Sequence, residues 1–369
     1  MKNFYTATFF YLVFCSAILA QSGIQYPKSD TTSVHKDYPY VLPIWGQALT
    51  DRNIDFQLPF GLNVNYIYNE MDIAITDFSM YVGNDPTTPA NEIISSLINH
   101  ETLNFSQTTA KAQGINIRAD AWILPFLNIY GIFAENDGYT GVVLQPTWRD
   151  ESGDIILQLP VFESEVTFES KTYGIGTTFV YGWNDYFISA DANFTSSKSE
   201  LLTQRVGIVV ASARIGRRVI FPNNMKLAVY FGAMYRNFLS NEGNDGTIKL
   251  NDALPGLEEH ILGGIEERVI TNNNEITRLR EEKPPGWVED ISRLTAKNTA
   301  LGLMYENLDG NEVFSTNINY FIKKELVSNW TTQIGFNFEI SPNWMIRGEY
   351  GYSAHQKFLM TGLQYRFGL

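Results

Sequence analysis

The sequence has almost no cysteine and little histidine. Its only cysteine is Cys15, near the N-terminus, and its four histidines are His35, His100, His260 and His355. This excludes a disulfide framework and a cysteine metal site in the rest of the chain. There is no paired-histidine metal spacing, no phosphate-binding loop and no basic patch for nucleic acid. We therefore expect no cofactor, no metal and no nucleic-acid partner.

Histidine is also too sparse to suggest a catalytic centre. Hydrolytic sites of the common kinds need a positioned histidine with a serine or a carboxylate. Only His355, in the stretch YSAHQK, lies near the end of a predicted strand. We expect that the chain is not an enzyme.

Beyond the N-terminus, no segment reaches 18 consecutive apolar residues, which excludes a helical membrane protein. The N-terminus itself begins with Met1-Lys2-Asn3 and continues with an apolar run from Ala7 to Ala20. This pattern predicts a signal peptide over residues 1–20, with cleavage after Ala20 and loss of Cys15. A retained anchor is the alternative, although the run is shorter than the ~20 residues that a spanning helix needs.

What the chain has in quantity is aromatic residues, at 14%, and 28 glycines. Many of them lie in segments that alternate apolar and polar residues. The stretch TGLQYRFGL at the C-terminus places Leu363, Tyr365 and Phe367 on one face and Gln364 and Arg366 on the other. In a soluble sandwich the aromatic face would point into a core, whereas in a membrane barrel it would point into lipid. The stretch YGIGTTFVYGW has the same alternation, and its glycine-rich second face does not suit a packed soluble core.

Repetition of this pattern predicts an all-β fold, a membrane-spanning antiparallel up-and-down barrel over residues 60–369, preceded by a periplasmic or lumen segment over 21–59. The ten predicted strands cover residues 60–69, 112–124, 127–136, 172–183, 186–195, 204–220, 225–238, 329–340, 344–353 and 357–368. Segments 72–83 and 299–320 could add a pair, so twelve strands remain possible. Short turns rich in Pro, Asn and Asp alternate with mostly long links, as expected for tight periplasmic turns and extended outer loops.

The longest link, residues 239–328, is too long to be a simple loop. Leu257, Ile261, Ile265 and Val269 recur every four residues, which is helical spacing. A second helix is predicted around residues 288–305. The insertion could cap the barrel, fold into its lumen as a plug, or lie outside it.

The last strand resembles the C-terminal assembly signal of Gram-negative outer-membrane β-barrel proteins. The matching residues are Gly362, Tyr365 and Phe367; Met360 stands where that signal usually has a polar residue, and Gly368-Leu369 extend past its final aromatic. The resemblance implies export to the periplasm, contact with periplasmic chaperones and the barrel assembly machinery, and insertion into the bacterial outer membrane beside lipopolysaccharide. It implies no substrate and leaves the oligomeric state open.

Charge divides between the links and the predicted lumen. The formal net charge is −13, and the acidic excess is concentrated in residues 137–171 and 239–330. These links are either ordinary solvated surface or an acidic rim that concentrates cations or binds divalent ions beside a lipopolysaccharide leaflet. The alternation instead directs a mixed, slightly basic set of charged side chains into the lumen. They would form either a salt-bridged network that fills the barrel or a conducting, charge-lined path. These residues are Arg118, Asp120, Asp191, Arg214, Arg218, Lys226, Arg236, Glu339, Arg347, Glu349 and Arg366.

The resulting functional hypothesis is a porin-like passive channel for small solutes. A non-conducting barrel that presents acidic loops for adhesion or interaction is the main alternative, and an outer-membrane hydrolase is a third.

Overall fold

The computed structural model describes residues 37–52, 54, 56–83, 85–150, 152–239, 243–315 and 317–369. The predicted signal peptide and residues 21–36 lie outside this part. The described residues form fourteen strands: β1 (Phe60–Tyr81), β2 (Phe105–Leu124), β3 (Leu127–Leu144), β4 (Thr147–Arg149), β5 (Ile155–Gln158), β6 (Phe162–Trp183), β7 (Tyr186–Ser199), β8 (Val206–Ile220), β9 (Lys226–Phe238), β10 (Asn244–Lys249), β11 (Asn317–Leu326), β12 (Trp330–Glu339), β13 (Trp344–Tyr352) and β14 (Gln356–Phe367).

Six α-helices lie between or before these strands in the same part of the chain. They are α1 (Gly46–Thr50), α2 (Pro89–Leu97), α3 (His100–Leu103), α4 (Leu250–Ala253), α5 (Leu257–Glu282) and α6 (Trp287–Leu308), and a 3₁₀ turn comes next at Glu312–Phe314. Among the described residues, no helix combines the length and the apolar character needed to cross a membrane.

Ten of the strands form a closed antiparallel barrel. The order is β1, β2, β3, β6, β7, β8, β9, β12, β13 and β14, and β14 pairs back onto β1 from Phe60↔Phe367 to Met71↔Gln356. These are the ten predicted strands, so the predicted fold class is confirmed. Asn184 and Asn224 occupy two of the tight turns with positive φ, the left-handed conformation that asparagine tolerates.

A twelve-strand barrel is not found in the described chain. Segment 72–83 continues β1, and segment 299–320 contains the end of α6, a 3₁₀ turn and the start of β11. Of the additional sheet strands, β11 pairs with the outer half of β1 and β10 pairs with β11, so neither enters the ten-strand wall.

The outward face of the barrel is apolar, and the inward face is polar. Ile175 and Phe231 point outward and are 69% and 66% exposed, whereas the inward-facing Asn63 and Gln333 are buried. Aromatic side chains border the apolar band at both edges: at the tight-turn end Trp344, Tyr365, Phe367, Trp183 and Tyr186, and at the other end Tyr66, Tyr173, Trp330, Tyr350 and Tyr352. A lipid-facing band between two aromatic girdles is typical of transmembrane barrels.

Several strands continue well beyond the outer girdle, where the alternation reverses its phase. On β6, the outward side chains within the apolar band are Tyr173 and Ile175, but farther out Phe162 and Val166 face inward and Glu165 faces outward. A sheet around an apolar core in water requires this opposite arrangement.

These extensions form a second, narrower ring, which we call the outer tier. It comprises residues 73–81, 105–111, 137–144 and 162–171 of β1, β2, β3 and β6, the link 200–204, and strands β10 and β11. The ring closes where Leu202 bridges Gly246, supported by the Thr203 N–H, which donates to the Asp245 carbonyl at 2.7 Å. The Tyr320 hydroxyl donates to the Leu201 carbonyl at 2.8 Å across the same junction.

The inside of the outer tier is a packed apolar core. Met80, Leu144 and Ile318 are 0% exposed, and they belong to one hydrophobic cluster that continues into the helices above. There Leu257, Ile261 and Ile265 of α5 are buried, which is the predicted stripe, and they pack in this cluster with Leu301, Met304 and Leu308 of α6. The outer tier and helices α2 to α6 therefore form one folded unit with a common core, which we call the cap. The insertion is part of this cap, and the cap shares its core with the barrel wall.

Candidate functional site in the barrel lumen

The membrane-embedded part of the barrel encloses a cavity of about 1040 Å³. Ten of the eleven predicted charged residues line it: Arg118, Asp191, Arg214, Arg218, Lys226, Arg236, Glu339, Arg347, Glu349 and Arg366. Asp120, the remaining residue, is buried behind them against Arg366. The alternation thus brings all of these side chains together inside one barrel.

Asp120 is the centre of a network near the periplasmic end. Its carboxylate accepts from Arg366 at 2.9 Å, from Asn128 at 2.8 Å and from Asn63 at 3.0 Å. Four strands, β1, β2, β3 and β14, contribute to this cluster. Since both carboxylate oxygens are occupied, Asp120 is a structural ion-pair partner and not an open ligand site.

Glu349 is the centre of a second network on the opposite wall. It accepts from the Tyr230 hydroxyl and from the Gln333 amide, both at 2.8 Å, and lies 3.2 Å from the Arg214 guanidinium. Farther toward the periplasm, Lys226 forms an ion pair with Glu339 at 3.1 Å. Two more of the four predicted lumen carboxylates are therefore paired with a cation.

Asp191 receives neutral donors. The Tyr130 hydroxyl donates to it at 2.8 Å and the Thr178 hydroxyl at 2.6 Å. Arg118 lies over the Tyr130 ring, 3.5 Å from its centroid, and donates to Asn128 at 2.9 Å. Arg118 has no carboxylate within ion-pair distance among the described residues.

Arg236 and Arg347 also lack a carboxylate partner in the described part of the chain. Arg236 donates to the Asn69 amide oxygen at 3.1 Å near the outer end of the cavity. Arg347 has a buried Nε without a hydrogen-bond partner among the described residues, and the same holds for the Nε of Arg118. The predicted basic excess of the lumen thus resides in arginines that are not neutralised by ion pairs.

The periplasmic end of the cavity is covered by residues 37–52, 54 and 56–59. Pro43, Leu49 and Phe56 line the cavity floor. The segment is attached to the barrel by the Val41 N–H, which donates to the Leu369 carbonyl at 3.0 Å, and by Arg366, which donates to the Leu58 carbonyl at 2.6 Å. Leu369, which lies beyond the last aromatic of the C-terminal signal, therefore helps to hold this segment.

The assembly-signal residues lie as the alternation predicts. Tyr365 contacts Trp344 with ring centroids 4.9 Å apart, and Phe367 stacks on Phe60 at 5.7 Å, both on the outward face. Gly362 faces inward, where a side chain would collide with Asn65. These contacts account for the residue types within the fold.

The three histidines of the described chain, His100, His260 and His355, do not converge on a site, and His35 lies outside the described residues. His355 lies 3.1 Å from Asp72 at the outer end of the barrel, and His100 lies 3.7 Å from Asp77 in the cap. No group of three potential metal ligands occurs among the described residues.

Neutral hydrogen-bonding residues were the part of the site that charge alone did not reveal. Tyr130, Tyr230, Asn63, Asn128 and Gln333 hold the lumen carboxylates. Their signal was available in the sequence, because each occupies an inward position in the same alternation as the charged residues.

The closed ten-strand wall, its apolar band and its two aromatic girdles decide the class of protein. The chain is an integral outer-membrane β-barrel. In this class the tight turns face the periplasm and the long connections face the cell surface.

Comparison with known proteins agrees in general architecture only. No family model matches the chain, and no curated protein matches it in sequence. The β domain of the Bordetella autotransporter BrkA is 7% identical, with a TM-score of 0.33 over 83% of this chain and 99% of that chain. The outer membrane protease OmpT from Escherichia coli is 9% identical, with a TM-score of 0.34 over 84% and 97%.

An outer membrane channel from Pseudomonas putida F1 is 7% identical, with a TM-score of 0.29 over 85% of this chain and 97% of that chain. The three proteins differ in activity, and likenesses of this strength carry no argument about function.

Proposed function

We propose that this barrel is a non-conducting anchor that presents its folded cap for interaction at the cell surface. The observation that carries the proposal is the apolar core of the outer tier. Side chains from β1, β3, β6, β10 and β11 meet inside the ring, together with those of α5 and α6. A close-packed apolar interior of this kind leaves no room for a column of water, so it supports a barrel that is sealed above the cavity.

Helices α5 and α6 form a helical hairpin, and this hairpin is the part of the cap that would contact a partner at the cell surface. Its base is buried through Leu257, Ile261 and Leu301, whereas its distal half carries exposed ion pairs such as Arg278 with Glu275 and Glu282, both at 2.6 Å. A helix of 26 residues is about 39 Å long, so the distal part of α5 extends well beyond the tier.

A passive channel for small solutes is the second candidate, and the polar cavity of about 1040 Å³ favours it. Passage through this barrel would require the cap and residues 37–59 to move aside.

Conductance in planar bilayers separates the two candidates. We expect the intact protein to give no stable open-channel current. A variant with residues 244–326 replaced by a short Gly-Ser linker should conduct, because it loses β10, β11 and the helices that fill the tier. Steady conductance by the intact protein would overturn the sealed-anchor proposal in favour of the channel.

The adherence of cells that display the protein tests whether the cap acts in interaction at the cell surface. Cells that display the intact chain should aggregate or adhere more than cells that display a variant without residues 268–297, the distal half of the hairpin. That deletion keeps the buried base and is matched by the exposed substitutions Arg278→Ala and Arg293→Ala as controls for surface charge. Equal adherence of the intact and shortened chains would contradict a role for the hairpin.

A further inference from the structure

The lumen contains more cations than it neutralises. Of the predicted set, seven side chains are basic and four are acidic. Asp120, Glu339 and Glu349 have ion-pair partners, and Asp191 is held by two hydroxyls. No carboxylate among the described residues lies within ion-pair distance of Arg347 or Arg118, and Arg118 has only the longer-range attraction of Asp191 and Asp120.

Arg347 and Arg118 face the same space. Arg347 on β13 and Arg118 on β2 both line the cavity, and their like charges repel one another. Arg347 also lies close enough to Arg366 to repel its charge. Each of Arg347 and Arg118 keeps a buried Nε without a partner among the described residues.

Physical chemistry makes this arrangement costly unless an anion joins it. A guanidinium removed from water loses several kcal/mol of solvation, and repulsion from a second guanidinium adds to that loss. The planar donor fork of arginine matches the oxygen spacing of carboxylates and phosphates and binds them in a bidentate manner. The cavity lies at the upper end of the volume range of small-molecule sites, so it has room for a small oxyanion.

We propose that Arg347 and Arg118 form a binding site for a small oxyanion, a phosphate or a dicarboxylate, within the barrel cavity. Arg347 supplies the main bidentate contact, since it has no other hydrogen-bond partner in the described chain. Arg118 supplies a second charge from a guanidinium fixed over the Tyr130 ring. The site does not depend on whether the barrel conducts, because an anion that enters from the periplasm by displacement of residues 37–59 would reach it.

Thermal unfolding of the full chain in detergent tests the proposal. Inorganic phosphate is titrated at constant ionic strength against sodium chloride, with sodium succinate as a parallel series, and the midpoint is read from the loss of heat-modifiable gel mobility. We expect a saturable rise of the midpoint with at least one of the two anions, because a ligand that binds only the folded state stabilises it.

Substitutions then locate the effect. Arg347→Gln and Arg118→Gln should each shift the half-saturating anion concentration at least tenfold upward. Arg217→Gln is the matched control, since Arg217 lies on the outward face of β8, beside Asp185 at 3.5 Å. Arg217→Gln should titrate like the unaltered chain.

Three results would overturn the site: no saturable effect of either anion, an equal effect of chloride, or unchanged titrations of both lumen variants. If Arg347→Gln does not fold, Arg347→Lys replaces it. A shift of its half-saturating anion concentration that is smaller than for Arg118→Gln but larger than for Arg217→Gln supports the bidentate contact. An Arg347→Lys titration identical to that of the unaltered chain would exclude it.

Discussion

At the scale of single residues, the fold depends on which face of a strand each side chain occupies. Ser189 and Ala190 are neighbours on β7, yet Ser189 lines the cavity and Ala190 points outward. Because the side-chain period of a strand is two, a shift of one residue would exchange their environments.

A lysine at these two positions should therefore have unequal effects. Ala190→Lys places a charge in the hydrocarbon region, which costs about 2 to 4 kcal/mol near the midplane, whereas Ser189→Lys enters the polar cavity and should cost less. Urea unfolding from lipid vesicles measures both free energies. Equal losses would show that the register of β7 differs from the one described.

Tyr320 provides a residue-scale test of the outer tier. Burial raises the pKa of its hydroxyl from 10 to about 12, and that hydroxyl donates to the Leu201 carbonyl across the ring junction. The folded tier thus favours the protonated phenol. The contribution of the protonated Tyr320 hydroxyl to the stability of the outer tier is complete below pH 10 and is lost as the pH rises from 10 toward 12.

Tyr320→Phe should remove this alkaline sensitivity and about 1 kcal/mol of stability at neutral pH, the usual net worth of one hydrogen bond. The measurement is the rate of limited proteolysis within residues 200–204 at pH 8 and pH 11. An identical pH dependence of the proteolysis rate in both proteins would show that Tyr320 does not help to close the outer tier.

At the scale of elements, sequence patterns predicted the segments of constant periodicity and missed those in which the periodicity changes phase. The ten membrane strands and the α5 stripe at Leu257, Ile261 and Ile265 belong to the first kind. The extensions of β3 and β6 were assigned to loops, because beyond the outer girdle the apolar side chains move to the inward face. On β6 this places Phe162 and Val166 out of phase with Tyr173, which hides one continuous strand.

The lumen shows the same division. The alternation predicted its charged residues but not their pairing, because Asp120 and Arg366 are 246 positions apart and meet only when β14 closes on β1. Single-sequence reasoning has no access to such contacts. The uncompensated state of Arg347 could therefore be recognised only in the folded barrel.

The cap should behave as a core-dependent element. Ile261→Ala removes a side chain that is 0% exposed from the shared cluster and should cost about 2 to 5 kcal/mol, whereas Ile270→Ala, at 61% exposed on the same helix, should cost less than about 0.5 kcal/mol. Protease resistance of the displayed cap measures the difference. Similar resistance of both variants would indicate that α5 does not pack through Ile261.

At the scale of the whole molecule, the two ends of the barrel have different construction. The periplasmic end is covered by a short segment held by a few hydrogen bonds, such as that between Val41 and Leu369. The outer end is closed by the tier and the helices, which share a continuous apolar core. Since a packed core resists opening more than a few surface hydrogen bonds do, the periplasmic end is the easier entrance to the cavity.

The tight turns lie at the end covered by residues 37–59, and this predicts the orientation of the barrel in the membrane, with that end in the periplasm. Cys15 is the only cysteine and lies within the predicted signal peptide, so a single introduced thiol reports its own position. Lys283→Cys, at the tip of the helical hairpin, should react with a membrane-impermeant maleimide on intact cells. Gln47→Cys, in the segment that covers the periplasmic end, should react only after the outer membrane is permeabilised. Labelling of Gln47→Cys but not of Lys283→Cys on intact cells would show that the barrel has the opposite orientation. The cap would then face the periplasm, where it could not serve as a surface-presenting element.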